Sequence, residues 1–309
     1  MSAVTADNAP GGKAAALAPH AACLVASAIL GSSFVAARAI MDHSSMPATL
    51  ASLRYLVAAL CLLPFVTSAR HWRMSFADVR FAVALGVMQF GIFHLFVNSA
   101  LQLIPAARGA VIFALIPVMT MLIAWAAGRD RMSWMTAFAA VLAFTGVALA
   151  IGEKALVPGV GGDSLLGEGL FFLAVCCGAT YNAFSARLFQ RHSLPAISAI
   201  AMASGALALF PFAIAEGLFE TGTGYDTHDW LVFLWLAVPG GAVGMLLFNW
   251  GLQRLSPTRA AIWVPMSPIA ATGLGFLLLG EQVTALFLVG LACAIAAPLI
   301  VARARATGR

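Results

Sequence analysis

Ten stretches of about 20 apolar residues fill almost the whole chain: 20–41, 47–68, 80–101, 105–127, 133–152, 167–188, 195–217, 230–253, 258–279 and 284–302. A helix of about 20 residues spans the roughly 30 Å hydrocarbon core of a bilayer. In lipid every backbone amide and carbonyl must be paired, and a helix does this within one segment. A water-soluble fold is excluded by composition. The chain is 62% hydrophobic and 9% charged, where a soluble domain carries roughly 25% charged residues. The expectation is an all-α membrane protein with ten transmembrane helices.

Several connections are very short, so neighbouring helices form antiparallel hairpins, and ten crossings put both termini on one side. With a cytoplasmic N-terminus, thirteen bases lie inside: Lys13, Arg70, Arg73, Arg80, Arg129, Arg131, Arg187, Arg191, Arg254, Arg259, Arg303, Arg305 and Arg309. Three lie outside, namely Arg38, Arg108 and Lys154, and Arg54 is within the second stretch. This is a positive-inside bias, and it predicts a multi-pass bacterial-type inner-membrane protein with both termini cytoplasmic. The net charge of +5 is thereby explained without a nucleic-acid surface, since the bases form no cluster. Residues 1–17 read as a disordered cytoplasmic tail, with no cleavable signal. The five cysteines sit in apolar stretches without metal-ligand spacing and read as reduced packing residues.

Sliding the chain against itself by 151 residues aligns FVNSALQLIPAARGAVIFALIP, from Phe96, with LFNWGLQRLSPTRAAIWVPMSP, from Leu247. Asn98/Asn249, Leu101/Leu252, Gln102/Gln253, Arg108/Arg259, Ala110/Ala261 and Pro117/Pro268 are identical. A weaker echo pairs Ala37-Arg38, His43-Ser and Pro47-Ala with Ala186-Arg187, His192-Ser and Pro195-Ala. Residues 18–152 and 167–302 are therefore read as two five-helix repeats. Five is odd, so the second copy is inverted in the membrane. Such repeats around a central cavity are a recurrent transporter plan.

Along its length the chain resembles the EamA-type drug/metabolite transporter superfamily. The resemblance is carried by Gly31-Ser-Ser-Phe-Val, by Pro47 with Arg54-Tyr55, by Pro117 and Pro268, and by Leu279-Gly280-Glu281. Within it the chain looks most like YddG-type exporters. The resemblance implies a ten-helix basket, a cytoplasmic N-terminus and export of aromatic or neutral amino acids or similar small metabolites. The first repeat departs from the family pattern, with Arg129-Asp130 where Gly-Glu is usual.

Polar groups inside a span are costly and face the bundle interior or water. His94, Asn98 and Gln102 recur at helical spacing on one face of the third stretch. Met245, Asn249 and Gln253 repeat that stripe in the eighth. These residues either line a cavity or bond between helices, at about 0.6 kcal/mol each. Arg54 has no acid at comparable depth. It either snorkels or caps carbonyls, or it meets a substrate carboxylate. Ser33 allows close packing or contacts substrate, while Tyr181 and Asn182 suit an amino acid's polar end. Trp263 suits an aromatic side chain. Pro117, Pro239, Gly240 and Pro268 are candidate hinges.

No carboxylate lies in a span interior, and His94 is the one mid-span group that titrates near neutrality. Facilitated export or exchange is therefore expected in preference to obligatory proton coupling. Enzyme motifs, metal sites and cofactor-binding loops are absent from the pattern. The loops are too short for a receptor or scaffold domain. A carrier of phosphorylated sugars needs several core bases, and here Arg54 stands by itself. Each chain holds a complete repeat pair, so a monomer suffices.

Overall fold

The computed structural model describes residues 10–66, 74–129, 133–155, 161–252, 254–255 and 263–307, and every regular element among them is helical. Residues 1–9, Asp130, Gln253, Arg259 and the side chain of Asn249 lie outside the described residues. Helix α1 (Pro10–Met41) starts within the stretch expected to be a tail. Helix α2 (Pro47–Leu62) begins on proline, which tolerates the first turn because that amide has no intrahelical partner. A 3-10 turn continues it to Val66.

The third stretch is a rod of two α-helices, α3 (Phe76–Gly86) and α4 (Phe93–Leu101), joined by a π-turn at Val87–Ile92. The fourth is broken into α5 (Ala106–Phe113) and α6 (Ile116–Ala126). The break falls just before Pro117, whose ring nitrogen cannot donate to the carbonyl four residues back. Then follow α7 (Trp134–Ala155), α8 (Gly161–Arg191) and α9 (Leu194–Ala215). Helices α10 (Thr227–Ala237) and α11 (Gly244–Leu252) are again joined by a π-turn, Val238–Val243. Helices α12 (Met266–Leu279) and α13 (Ala285–Thr307) close the chain.

Eight of these rods are long and apolar enough to cross a bilayer, from Leu17–Met41 to Thr227–Phe248. Met266–Leu279 and Ala285–Val301 are apolar but shorter within the described residues. Bulky apolar side chains such as Trp134, Leu231, Leu277 and Leu278 stay exposed, as a lipid-facing surface requires.

Helix α1 packs against α11 and α12, and α8 packs against α4 and α6. Helix α2 pairs with α9, and α7 with α13. The last pair touches through glycines: a Cβ on Gly146 would lie 2.6 Å from the Gly290 carbonyl. Small residues let helix backbones approach this closely in lipid, where packing rather than hydrophobic burial drives association.

One end of the bundle, here called distal, is tied together by hydrogen bonds among the ends of α1, α4, α9 and α12 and the starts of α2, α5 and α10. The opposite, proximal end carries the start of α1, where the Cys23 thiol donates to the Phe248 carbonyl at 3.9 Å.

Candidate functional site

His94 opens the α4 half of the third rod and holds its π-turn. In that turn the Phe93 amide donates five residues back, to the Met88 carbonyl. The Gln89 carbonyl next to it is taken by His94 Nδ1 at 3.0 Å. A carbonyl can only accept, so Nδ1 carries the proton and Nε2 is free to accept. The Tyr55 hydroxyl of α2 meets that Nε2 at 2.5 Å. Both ring nitrogens are thus spent on structure. Rings surround them: Phe93 is 4.6 Å from His94 centroid to centroid, and Phe90 is 5.0 Å from Tyr55.

The stripe read from the sequence does share one face, and that face is turned to α2 and the loop before it. Asn98 Nδ2 donates to the Pro47 carbonyl at 3.0 Å, and Gln102 Nε2 to the Ser44 carbonyl at 3.0 Å. Asn98 Oδ1 is buried without a partner among the described residues. The matching Asn249 side chain lies outside them.

Arg54 is 4% exposed, so it does not snorkel. Its side chain makes no ion pair or hydrogen bond among the described residues, and its Nε is buried and unpaired. It therefore does not cap described carbonyls either. Its guanidinium carbon lies 5.0 Å from the ring centre of Tyr55. The second π-turn comes close beside it. A Cβ on Gly240 would collide with the Ser33 hydroxyl and lie 3.4 Å from Arg54 Nη2. Ser33 itself is buried and donates to the Ile29 carbonyl at 2.9 Å. Arg54, Ser33 and Gly240 are thus brought together by α2, α1 and the α10–α11 rod.

The remaining candidates spread out. The Tyr181 ring is 6.0 Å from Phe90, and its hydroxyl is buried and unpaired among the described residues. Asn182, the next residue, is exposed. Trp263 sits at the proximal end before α12, with Nε1 donating to His20 Nδ1 at 3.1 Å. Pro117, Pro265, Pro268 and Pro298 wall a narrow apolar cleft. Pro239 and Gly240 fall inside the second π-turn.

Sequence reasoning named no partner for several acids. Glu216 follows α9 and accepts the Ala48 and Thr49 amides at 2.8 and 2.7 Å. Glu281 accepts the Ala106 and Ala107 amides at 2.6 and 2.9 Å. Both carboxylates cap helix N-termini, where free amides and the helix dipole attract negative charge. Gly280, at φ 63°, turns the chain so that Glu281 reaches α5. The π-turns left one local trace, Pro239-Gly240-Gly241; the first turn had none. Tyr225, in the loop before α10, is pushed up by burial and then by Asp229 and Glu216, and stays protonated.

Residues 18–152 and 165–303 each match the sequence pattern of the EamA-like transporter family. An uncharacterized transporter of Archaeoglobus fulgidus is 22% identical over 84% of this chain and 90% of its own length. The uncharacterized transporter YcxC of Bacillus subtilis is 25% identical over 89% of each chain. A Streptantibioticus cattleyicolor protein named "probable terminal-alkyne amino-acid exporter" is 24% identical over 75% of each. A solved structure, described only as the crystal structure of a protein, superposes with a TM-score of 0.64. That match has 19% identity and covers 93% of this chain and 99% of the other.

Proposed function

The chain belongs to the EamA-like transporter family, and on that premise we propose that it exports an amino acid or a similar small metabolite by alternating access. The reading takes ten transmembrane helices as two inverted repeats, 18–152 and 167–302, around a central cavity. Both termini are cytoplasmic, in a bacterial-type inner membrane, and a single chain suffices.

One observation carries it: the two repeats trade places in the packing. The π-turns Val87–Ile92 and Val238–Val243 are separated by the 151 residues of the sequence register. The first packs on α9 and the second on α2. The breaks before Pro117 and Pro268 match as well, with Leu115 N donating to Ile112 O and Met266 N to Trp263 O. A molecule whose halves exchange roles across the membrane has two nearly equivalent arrangements, which is what alternating access requires. Pro117, Pro239, Gly240 and Pro268 serve it as hinges.

The unpaired Arg54 supports an amino-acid substrate. A buried cation without a counter-ion is costly, and a substrate carboxylate relieves that cost. Ser33 lies beside it, and Tyr55, Phe90 and Tyr181 supply an aromatic wall. In this reading His94 and Asn98 hold that wall in place, while Asn182 and Trp263 line the proximal route. The S. cattleyicolor relative's name points the same way. A multidrug exporter of the same family is the second reading, and a lone buried cation disfavours cationic drugs.

Counterflow in proteoliposomes against amino acids, their carboxamides, nucleosides and cationic drugs tests the proposal. Amino acids should exchange and their carboxamides should not. Arg54→Gln should raise KM for the acids about tenfold, as for a lost charge-assisted hydrogen bond. Movement of cationic drugs without amino acids would overturn the reading.

A further inference from the structure

Two kinds of contact join the spans, and the inverted register separates them. The first kind recurs in both repeats. His43 Nε2 meets Asp229 Oδ2 at 3.0 Å, and His192 Nε2 meets Asp78 Oδ2 at 3.0 Å. His43 follows α1 and Asp229 lies in α10; His192 follows α8 and Asp78 lies in α3. Each pair therefore lies within one packed unit. One unit is α1 with the α10–α11 rod and α12; the other is α8 with the α3–α4 rod and α6, and α5 packs on both α8 and α12. A contact present in both copies does not distinguish one state of the molecule from the other.

Among the described residues the second kind occurs at the distal end; Asp130, the counterpart of Glu281, lies outside them. Arg38, on α1, donates to the Leu101 carbonyl at the end of α4, and so crosses from one unit to the other. Glu281, after α12, lies on the same seam and binds the start of α5. Helix α1 also packs against α4 and α5.

At the proximal end the counterparts are present but apart. The turn that ends α4, with Leu103 and Ile104 amides on the Ala100 carbonyl, recurs at the end of α11 as Arg254 and Leu255 amides on the Gly251 carbonyl. Leu252 thus ends α11 as Leu101 ends α4. Arg187 stands on α8 where Arg38 stands on α1, yet it is exposed, with no hydrogen bond or ion pair among the described residues. Among the described residues, helix α8 has no packing on α11 comparable to that of α1 on α4. The same residue types beside the same helix end are engaged at one face and open at the other.

We propose that Arg38 and Arg187 are alternating clasps, an inference that rests on the alternating-access reading but on no particular substrate. Arg38 on the Leu101 carbonyl closes the distal end, and Arg187 on the Leu252 carbonyl closes the proximal end in the opposite state. Helix-terminal carbonyls lack intrahelical partners and carry the negative end of the dipole, so a guanidinium is the matching donor. Because each unit is held together by its own His–Asp pair, closing one end draws the other apart. The distal clasp is the stronger. Asp42, one turn after Arg38, braces it at 2.8 Å, whereas the residue one turn after Arg187 is Arg191. The structure is thus the distal-closed state.

Spin-label distances in substrate-free proteoliposomes test this. The background is a cysteine-free variant first shown to transport. One pair, Ser45→Cys with Leu165→Cys, spans the distal seam, and another, Ala21→Cys with Gln190→Cys, spans the proximal seam. Wild type should show a short distal and a long proximal distance. Arg38→Ala should shift the population about tenfold toward a long distal and short proximal distance, the size expected for one charge-assisted hydrogen bond. Arg187→Ala should keep the distal-closed distances and slow exchange, and the double variant should return toward wild type. Unchanged distances in Arg38→Ala, or distal opening in Arg187→Ala, would overturn the clasp. Should Arg38→Ala fail to fold, Asp42→Ala must give a smaller shift of the same sign, and no shift overturns it equally. Because no substrate is present, a negative result here leaves the amino-acid reading standing, and the reverse also holds.

Discussion

Glu281 accepts the amide of Ala106 at 2.6 Å, capping a helix that begins 175 residues earlier in the chain. Its second oxygen takes Ala107. Glu281→Gln keeps one acceptor and loses the charge, and Glu281→Ala loses both. The first should cost about 1 kcal/mol and the second about 2 kcal/mol, as for other N-caps. Apparent melting temperatures in detergent should fall in that order. Equal temperatures for wild type and Glu281→Ala would show that the cap contributes nothing.

His94 satisfies the Gln89 carbonyl and the Tyr55 hydroxyl together. His94→Ala leaves both buried groups unpaired, at about 1–3 kcal/mol each. Tyr55→Phe removes one partner and should be the milder change. Since both ring nitrogens are occupied, flux should not follow an imposed pH gradient. Uphill transport driven by such a gradient and abolished in His94→Ala would contradict this.

Gly205 lets α9 touch the first π-turn. A Cβ there would lie 2.6 Å from the Phe90 backbone carbon and 2.7 Å from the Gly91 nitrogen. Those atoms are backbone and cannot swing aside, so Gly205→Val should cost about 3 kcal/mol through overpacking. Gly273→Ala, with nothing within 4 Å of its Cβ, should be near neutral. Size-exclusion profiles compare the two, and similar monodisperse peaks would refute the contact.

Arg108 and Glu168 form a buried pair at 3.1 Å, with side chains 9% and 8% exposed. Ser164 adds a hydrogen bond from its hydroxyl to the same carboxylate at 3.2 Å. Glu168→Ala strands a guanidinium at the distal end and should cost about 3–5 kcal/mol. Glu168→Gln retains an acceptor and should cost less. Yield and thermal stability of the two variants decide it; a fully stable Glu168→Ala would mean that water reaches the arginine.

The rods were legible because their cause is local. Apolar length along one segment dictates a crossing helix, so the first eight expected stretches each coincide with a helix long enough to span. The break before Pro117 was legible for a similar reason, since a missing amide disrupts its own helix. The stripe of His94, Asn98 and Gln102 was legible as one face. That it bonds to α2 and its entering loop, through Tyr55, Pro47 and Ser44, was not, because spacing names a face without naming what covers it.

From the sequence alone came the helices, the register of 151 residues, and the matched pairs Arg38/Arg187 and His43/His192. The tertiary structure decided their condition. Arg38 is engaged and Arg187 exposed; Glu281 caps α5; Arg54 is buried without a described hydrogen bond or counter-ion. The physical reason is the range of the interactions. Helix formation in lipid is settled within about 20 residues by the need to pair each backbone group. A charge buried between helices finds its partner, or none, only once distant segments have packed.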